Sequence, residues 1–172
     1  RPSTKTIMKM NQIRFGITYD YYWRNYTGII PRDAIEGGRD VNNMTTYIGQ
    51  VSVKNQGVIP ATIYPGNTTV VAVAHGVHRV SSYIKILCSA TKQNIKWMHV
   101  DSKNFQVLTA NRHLVQGGVE NDIVTYIGRI RYQGETVVTK VREHGIGNVK
   151  LYYPAGNQEK STDSFEVLIY DR

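Results

Sequence analysis

Gly28-Ile29-Ile30-Pro31-Arg32-Asp33-Ala34-Ile35-Glu36-Gly37-Gly38-Arg39-Asp40 is followed by the short run Thr46-Tyr47-Ile48-Gly49-Gln50-Val51, and the pair returns later in the chain. Val115-Gln116-Gly117-Gly118-Val119-Glu120 precedes Thr125-Tyr126-Ile127-Gly128-Arg129-Ile130, and a tryptophan leads each copy, Trp23 and Trp97. The two Thr-Tyr-Ile-Gly runs are offset by roughly 80 residues, so the chain reads as a tandem duplication.

Outward from these runs the pattern is that of strands. Ile13, Phe15 and Ile17 alternate with small or polar neighbours, as in a half-buried strand. Arg1 to Asn11 is polar and aperiodic and reads as a mobile terminus. Tyr47 to Val53 reads as a strand, Lys54-Asn55-Gln56-Gly57 as a hairpin turn, and Val58 to Tyr64 as its return. Pro65-Gly66-Asn67 makes another turn, Thr69 to Ala74 a short strand, and Ser82 to Cys88 closes the first unit. The second unit follows the same order: Ile95 to Val100, Phe105 to Thr109, the Gly117-Gly118 turn, Tyr126 to Arg131, a Gln133-Gly134 hairpin, Glu135 to Val141, Val149 to Tyr153 and Phe165 to Tyr170. No window holds a 3.6-residue period for three turns, so about ten short strands and no helix are expected. The Gly37-Gly38 pair reads as a turn like its counterpart. The fold class is therefore all-β, with two pseudo-symmetric antiparallel repeats. A unit of this size is marginal alone, so the two should share one core. The expected division is 1–22 for an N-terminal arm and first strand, 23–94 for the first repeat and 95–172 for the second, in one compact unit.

The net charge of +8 comes from Lys and Arg spread along the chain, which fits a solvated basic surface or attraction to an anionic partner. With no basic helix and no nucleic-acid motif, nucleic acid is not an expected partner. No apolar run is long enough to span a bilayer, so membrane insertion is not expected either. The single cysteine, Cys88, forms no internal disulfide and sits in an alternating run, where a buried inert thiol is expected. Three acceptor sequons, at Asn25, Asn43 and Asn67, lean towards a secreted glycoprotein.

Taken together, Gly-x-x-Pro-x-x-Ala-x-x-Gly-Gly-x-Asp, Tyr-Ile-Gly-Arg and the following Gly-turn resemble the DM-nine repeat of natterin-like proteins, from about Trp23 to Tyr170. The resemblance implies a tandem all-β scaffold, and some members are mannose-binding lectins. It implies no pore-forming module. It further implies a sugar site built on an acid after Gly-Gly and on a Lys in the strand after the hairpin. In the first copy these positions are Asp40 and Thr62, where the basic residue is replaced. In the second they are Glu120 and Lys140.

Such a set suits a sugar, since a carboxylate accepts from vicinal hydroxyls and an ammonium donates. Tyr47, Tyr126, Trp23 or Trp97 could stack on its apolar face. Each residue has a plainer reading beside this one. Asp40 can bond its own backbone in a turn, Glu120 and Lys140 can be surface charges, and the tryptophans can be core. His75-Gly76-Val77-His78 has the spacing of a metal pair but lacks neighbouring ligands, so hydrogen-bonded histidines and no metal are expected. Ser81-Ser82 carries no nucleophile elbow and no phosphate loop opens a helix, so no enzyme and no cofactor are expected. The expectation is a secreted, non-enzymatic carbohydrate-binding protein. Its expected partners are mannose-type or acidic glycans and, as a homodimer, a second copy of the chain. The alternative is a secreted structural or interaction scaffold with degenerate sugar sites.

Overall fold

The computed structural model describes residues 13–14 and 17–171 of the 172-residue chain. The Arg1 to Asn11 segment and Phe15 of the first strand lie outside the described residues. Two short strands, β1 (Ile13–Arg14) and β2 (Ile17–Thr18), pair with each other. The first repeat then runs β3 (Tyr22–Asn25), β4 (Glu36–Arg39), β5 (Thr45–Val53), β6 (Gly57–Ile63), β7 (Val70–Val73), β8 (Val77–Val80) and β9 (Lys85–Cys88). The second runs β10 (Ile95–Asp101), α1 (Phe105–Thr109), β11 (His113–Leu114), β12 (Gln116–Glu120), β13 (Ile123–Tyr132), β14 (Glu135–Gly145), β15 (Asn148–Ala155), β16 (Gln158–Thr162) and β17 (Ser164–Tyr170). No helix among the described residues is long and apolar enough to cross a membrane.

The duplication is visible in the pairings. Trp23 stands opposite Leu87 where β3 pairs with β9, and Trp97 stands opposite Leu168 where β10 pairs with β17. Gly49 is opposite Ile86 in one repeat, and Gly128 is opposite Val167 in the other. The two halves meet directly where β12 pairs with β6, Val119 with Val58 and Glu120 with Gly57, and this joins both repeats into one 13-stranded sheet. Three buried clusters make the interior. One belongs to the first repeat around Tyr22, Ile59 and Ile86, and one to the second around Phe105, Leu151 and Val167. The third lies between them and joins Trp23, Ile48 and Leu87 to Ile127, Val138 and Leu168. Alternation along the strands delivers these residues to the buried faces, and in the third cluster the two repeats bury them against each other.

The structure splits the expected Ile13 to Ile17 strand into the paired β1 and β2 and has 17 strands among the described residues where about ten were expected, and it departs from the sequence reading in two further places. Phe105–Thr109 is a five-residue helix rather than part of an all-strand chain. The cause is local: Asp101 Oδ1 accepts from the Lys103 and Asn104 amides at 2.9 and 2.8 Å, and Asn104 Oδ1 accepts from the Asp101 amide at 2.8 Å. This clasp starts a turn that buries Phe105. The second departure concerns the Gly-Gly pairs, which are strands and not turns. Each lies at a register shift against the next strand, Glu36/Gly38 in β4 and Gln116/Gly118 in β12.

Candidate functional site

The Gly-Gly strands are the points where the repeats press on each other. A Cβ on Gly38 would stand 2.5 Å from the Thr136 side chain, and one on Gly118 would stand 2.0 Å from the Val58 carbonyl oxygen. Each pair therefore lets its strand close on the hairpin return strand of the other repeat, and the residue two places on, Asp40 or Glu120, is carried to that seam.

At the first seam the acid serves its own loop. Asp40 Oδ1 accepts from the amides of Asn42 and Met44 at 2.8 and 2.9 Å. Thr62 is buried, donates to the Val138 carbonyl at 2.9 Å and accepts from the Val138 amide at 2.8 Å, which fastens β6 to β14. A cleft of about 310 Å³ opens beside it, lined by Val41, Thr62, Tyr64, Arg79, Tyr132 and Glu135. Tyr64 donates to Glu135. Burial, with the Glu135 carboxylate, pushes the Tyr64 hydroxyl well above its ordinary range.

At the second seam the register places Lys140 opposite Ile127, as Thr62 is placed opposite Ile48. Glu120 is 1% exposed and Lys140 is 2% exposed. Lys140 Nζ lies 2.8 and 2.9 Å from the two Glu120 oxygens and 3.4 Å from Glu159 Oε1. Arg142, which has the register position of Tyr64, lies 3.3 Å from Glu120. Two carboxylates thus face two cations. Tyr152, the cross-strand neighbour of Lys140, puts its ring 5.4 Å from Nζ, and its hydroxyl is 2.6 Å from His144 Nε2. Burial and the charges of Arg142, Lys150 and Lys140 hold the His144 imidazole below its usual range, so it is mostly neutral at pH 7. Glu159 accepts at 3.0 Å from the Gly76 amide on the β7–β8 turn. The buried Nε of Arg142 has no hydrogen-bond partner among the described residues. Arg142 and Glu159 side chains, 16% and 19% exposed, bring this network to the surface.

The structure brings Glu120 and Lys140 together but leaves Asp40 and Thr62 each engaged with backbone. Tyr47 and Tyr126 are half-buried and pack on core clusters. Each stands one residue before the isoleucine opposite Thr62 or Lys140, on the other face of its strand. The aromatic beside Lys140 is Tyr152, together with Arg142 and Glu159, and none of these was singled out in the sequence. The alternation Lys140-Val141-Arg142 was the available signal, because it sends two cations to one face. Trp23 is fully buried, while Trp97 is half-buried beneath the Arg129 guanidinium, 4.3 Å from its ring centre. His75 is an exposed turn residue, and His78 Nε2 lies 2.8 Å from the Ala74 carbonyl. Among the described residues no cluster of three His, Cys, Asp or Glu could hold a metal ion. Cys88 is fully buried, and burial, reinforced by the Asp33 charge, pushes its thiol up to about 12. Asn25, Asn43 and Asn67 are all exposed.

A search of curated proteins gave no match. The family model described as "DM9 repeat" matches residues 52–162, from the first hairpin to β16. That repeat is associated with carbohydrate-binding, lectin-like function and is not a known enzyme family. With more than half of its length matched, and with the same strand pairings in both halves, the chain belongs to the DM9 repeat family.

Proposed function

We propose that this chain is a secreted, non-enzymatic lectin for mannose-type glycans, acting in innate pattern recognition, with one working sugar site in the second repeat. The observation that carries this reading is the meeting of Glu120, Lys140, Arg142 and Glu159 beside Tyr152. A vicinal diol supplies acceptors and donors for the partly exposed Arg142 and Glu159 side chains, and the Tyr152 ring offers an apolar face to the sugar's C–H groups. Family membership supports glycans as the partner class. The exposed sequons at Asn25, Asn43 and Asn67 support secretion and glycosylation. A homodimer would present two such sites and raise avidity.

The test is calorimetric titration of the full chain with mannose. Lys140→Ala is a poor probe, because it strands a buried carboxylate at a cost of about 3–5 kcal/mol in stability. Arg142→Gln and Glu159→Gln act at the surface end of the network. Each is expected to weaken saturable mannose binding roughly ten-fold or more, as loss of a charge-assisted bond does, with a smaller loss of stability than Lys140→Ala because Lys140 still faces Glu120. If the unaltered chain gives no heat with mannose, the reading fails in favour of a scaffold with degenerate sites. The second reading is favoured by one observation, that Asp40 and Thr62 are both tied up internally.

A further inference from the structure

A second groove, of about 630 Å³, lies between the repeats beside the Gly38–Thr136 contact, and its lining is basic. It is walled by β4, β10 and β13 and contains four cations, Arg39, Lys92, Arg129 and Arg131, against two carboxylates, Glu36 and Glu166. Arg129 spends its charge inside the wall. Its guanidinium holds Glu166 at 3.1 and 3.2 Å, donates to the Gly37 carbonyl at 2.8 Å and covers Trp97. Arg39, Arg131 and Lys92 remain, and none of them forms an ion pair with a described residue. Among the described residues, the Arg39 side chain donates only to the Asn43 carbonyl at 3.2 Å, that of Arg131 only to Thr136 Oγ1 at 3.4 Å, and that of Lys92 to the Arg32 and Ala34 carbonyls at 3.2 and 3.3 Å. Gly38 packs against Thr136, the cross-strand partner of Arg131, so the two exposed arginines flank one spot on the groove wall.

The duplication supplies an internal control. Gly49 and Gly128 hold the same register position, so Gln50 stands where Arg129 is and Ser52 where Arg131 is. Val119, 45% exposed, stands where Arg39 is. Gln50 donates to the Gly117 carbonyl at 2.8 Å, the same bond that Arg129 makes to Gly37. An amide therefore does the structural work of the Arg129 position, and the other repeat fills the Arg39 and Arg131 positions with the uncharged Val119 and Ser52. The other repeat thus has no cation at the Arg39, Arg129 and Arg131 positions, and its basic residue there, Lys85, takes the place of Glu166.

We infer that the groove walled by Arg39, Arg131, Lys92, Glu36 and Trp97 binds an anionic oligosaccharide, its sulfate or carboxylate groups held between Arg39 and Arg131. Planar guanidiniums give bidentate donors to such groups. Glu36 beside them accepts from sugar hydroxyls, a mixture of donor and acceptor that suits a glycan better than a phosphate track. A nucleic-acid strand also needs free stacking faces, and the Trp97 face turned to Arg129 is already covered. The net charge of +8 favours encounter with such a ligand. The site is independent of the mannose reading, since it shares no residue with the Glu120–Lys140 network.

The experiment titrates the full chain with a sulfated hexasaccharide, a neutral mannose oligosaccharide and a single-stranded oligonucleotide. The variants are Arg39→Ser/Arg131→Ser and, on surfaces outside the groove, Lys103→Ser/Lys160→Ser. The sulfated hexasaccharide should bind, weaken as salt rises from about 0.05 to about 0.5 M, and lose roughly ten-fold or more in affinity in the arginine variant. The lysine variant should stay within about two-fold, and mannose binding should be unchanged in both. Equal losses in the two variants would overturn the proposal in favour of diffuse surface charge. Tighter binding of the oligonucleotide at the same arginines would overturn the glycan assignment, and absence of binding to the sulfated hexasaccharide would overturn the site.

Discussion

Gly118 lies outside the left-handed region of backbone space, so any residue could adopt its conformation. What it lacks is room. A Cβ would stand 2.0 Å from the Val58 carbonyl oxygen and 2.7 Å from its carbon, and both are backbone atoms of the strand that carries the pairing between repeats. A flexible side chain could swing aside, but a paired strand cannot. Gly118→Ala should therefore cost about 3 kcal/mol or more in urea unfolding, at or beyond the upper end of ordinary overpacking. A variant within about 0.5 kcal/mol of the unaltered chain would mean that the two strands can part without loss. The Gly-Gly motif itself was plain in the sequence, whereas its purpose was not. Glycine pairs serve turns and close approaches alike, and the partner here is about 60 residues away in the chain. The same distance hid the fate of the acids. Asp40 and Glu120 follow the same motif, yet one bonds its own loop and the other meets a lysine, and only the three-dimensional seam separates them.

At the scale of elements, β3 is locked to the turn before β4. Arg24 Nη2 lies 2.9 Å from Asp33 Oδ2, Tyr22 donates to Asp33, and the Ser89 amide donates to the Asp33 carbonyl at 2.9 Å. Burial alone would raise the Asp33 carboxyl, but the hydrogen bonds from Arg24 and Tyr22 win and hold it well below the usual carboxylate range. Burial, with Asp33 as acceptor, raises the Tyr22 hydroxyl to about 12, so it remains a donor. A carboxyl depressed in the folded state adds stability that is complete above its unfolded value near 4 and is lost as pH falls towards the folded one. Unfolding free energy should thus decline between about pH 5 and pH 2, and Asp33→Asn should flatten that decline while lowering stability at pH 7. An unchanged acid slope in Asp33→Asn would place the acid sensitivity elsewhere. The strands of this region were legible because alternation is a local signal. Helix α1 was not, since five residues are too few to show a period, and its cause is the Asp101–Asn104 clasp rather than any apolar pattern.

For the whole molecule, the two repeats share a buried cluster. The cluster between the repeats takes Trp23, Ile48 and Leu87 from one half and Ile127, Val138 and Leu168 from the other, all nearly devoid of solvent contact. Gln50 to Gly117 and Arg129 to Gly37 are reciprocal seam bonds, and Thr62 to Val138 and the pairing of β12 with β6 add to them. A chain of residues 95–171 alone would leave the Ile127, Val138 and Leu168 faces in water and the β12 edge without its partner on β6. The loss of a few hundred Å² of apolar burial, at about 25 cal/mol per Å², is comparable to the whole stability of a small domain. That fragment should show no sigmoidal urea transition and should bind a hydrophobic dye. Mixing it with residues 1–94 should restore near-ultraviolet dichroism, because each half supplies the surface that the other lacks. A cooperative transition in the isolated fragment would mean that the central cluster joins two finished cores instead of completing them. The Glu120–Lys140 network would then be assembled by the second repeat without help from the first, even though Glu120 sits opposite Gly57 and Glu159 is held by Gly76.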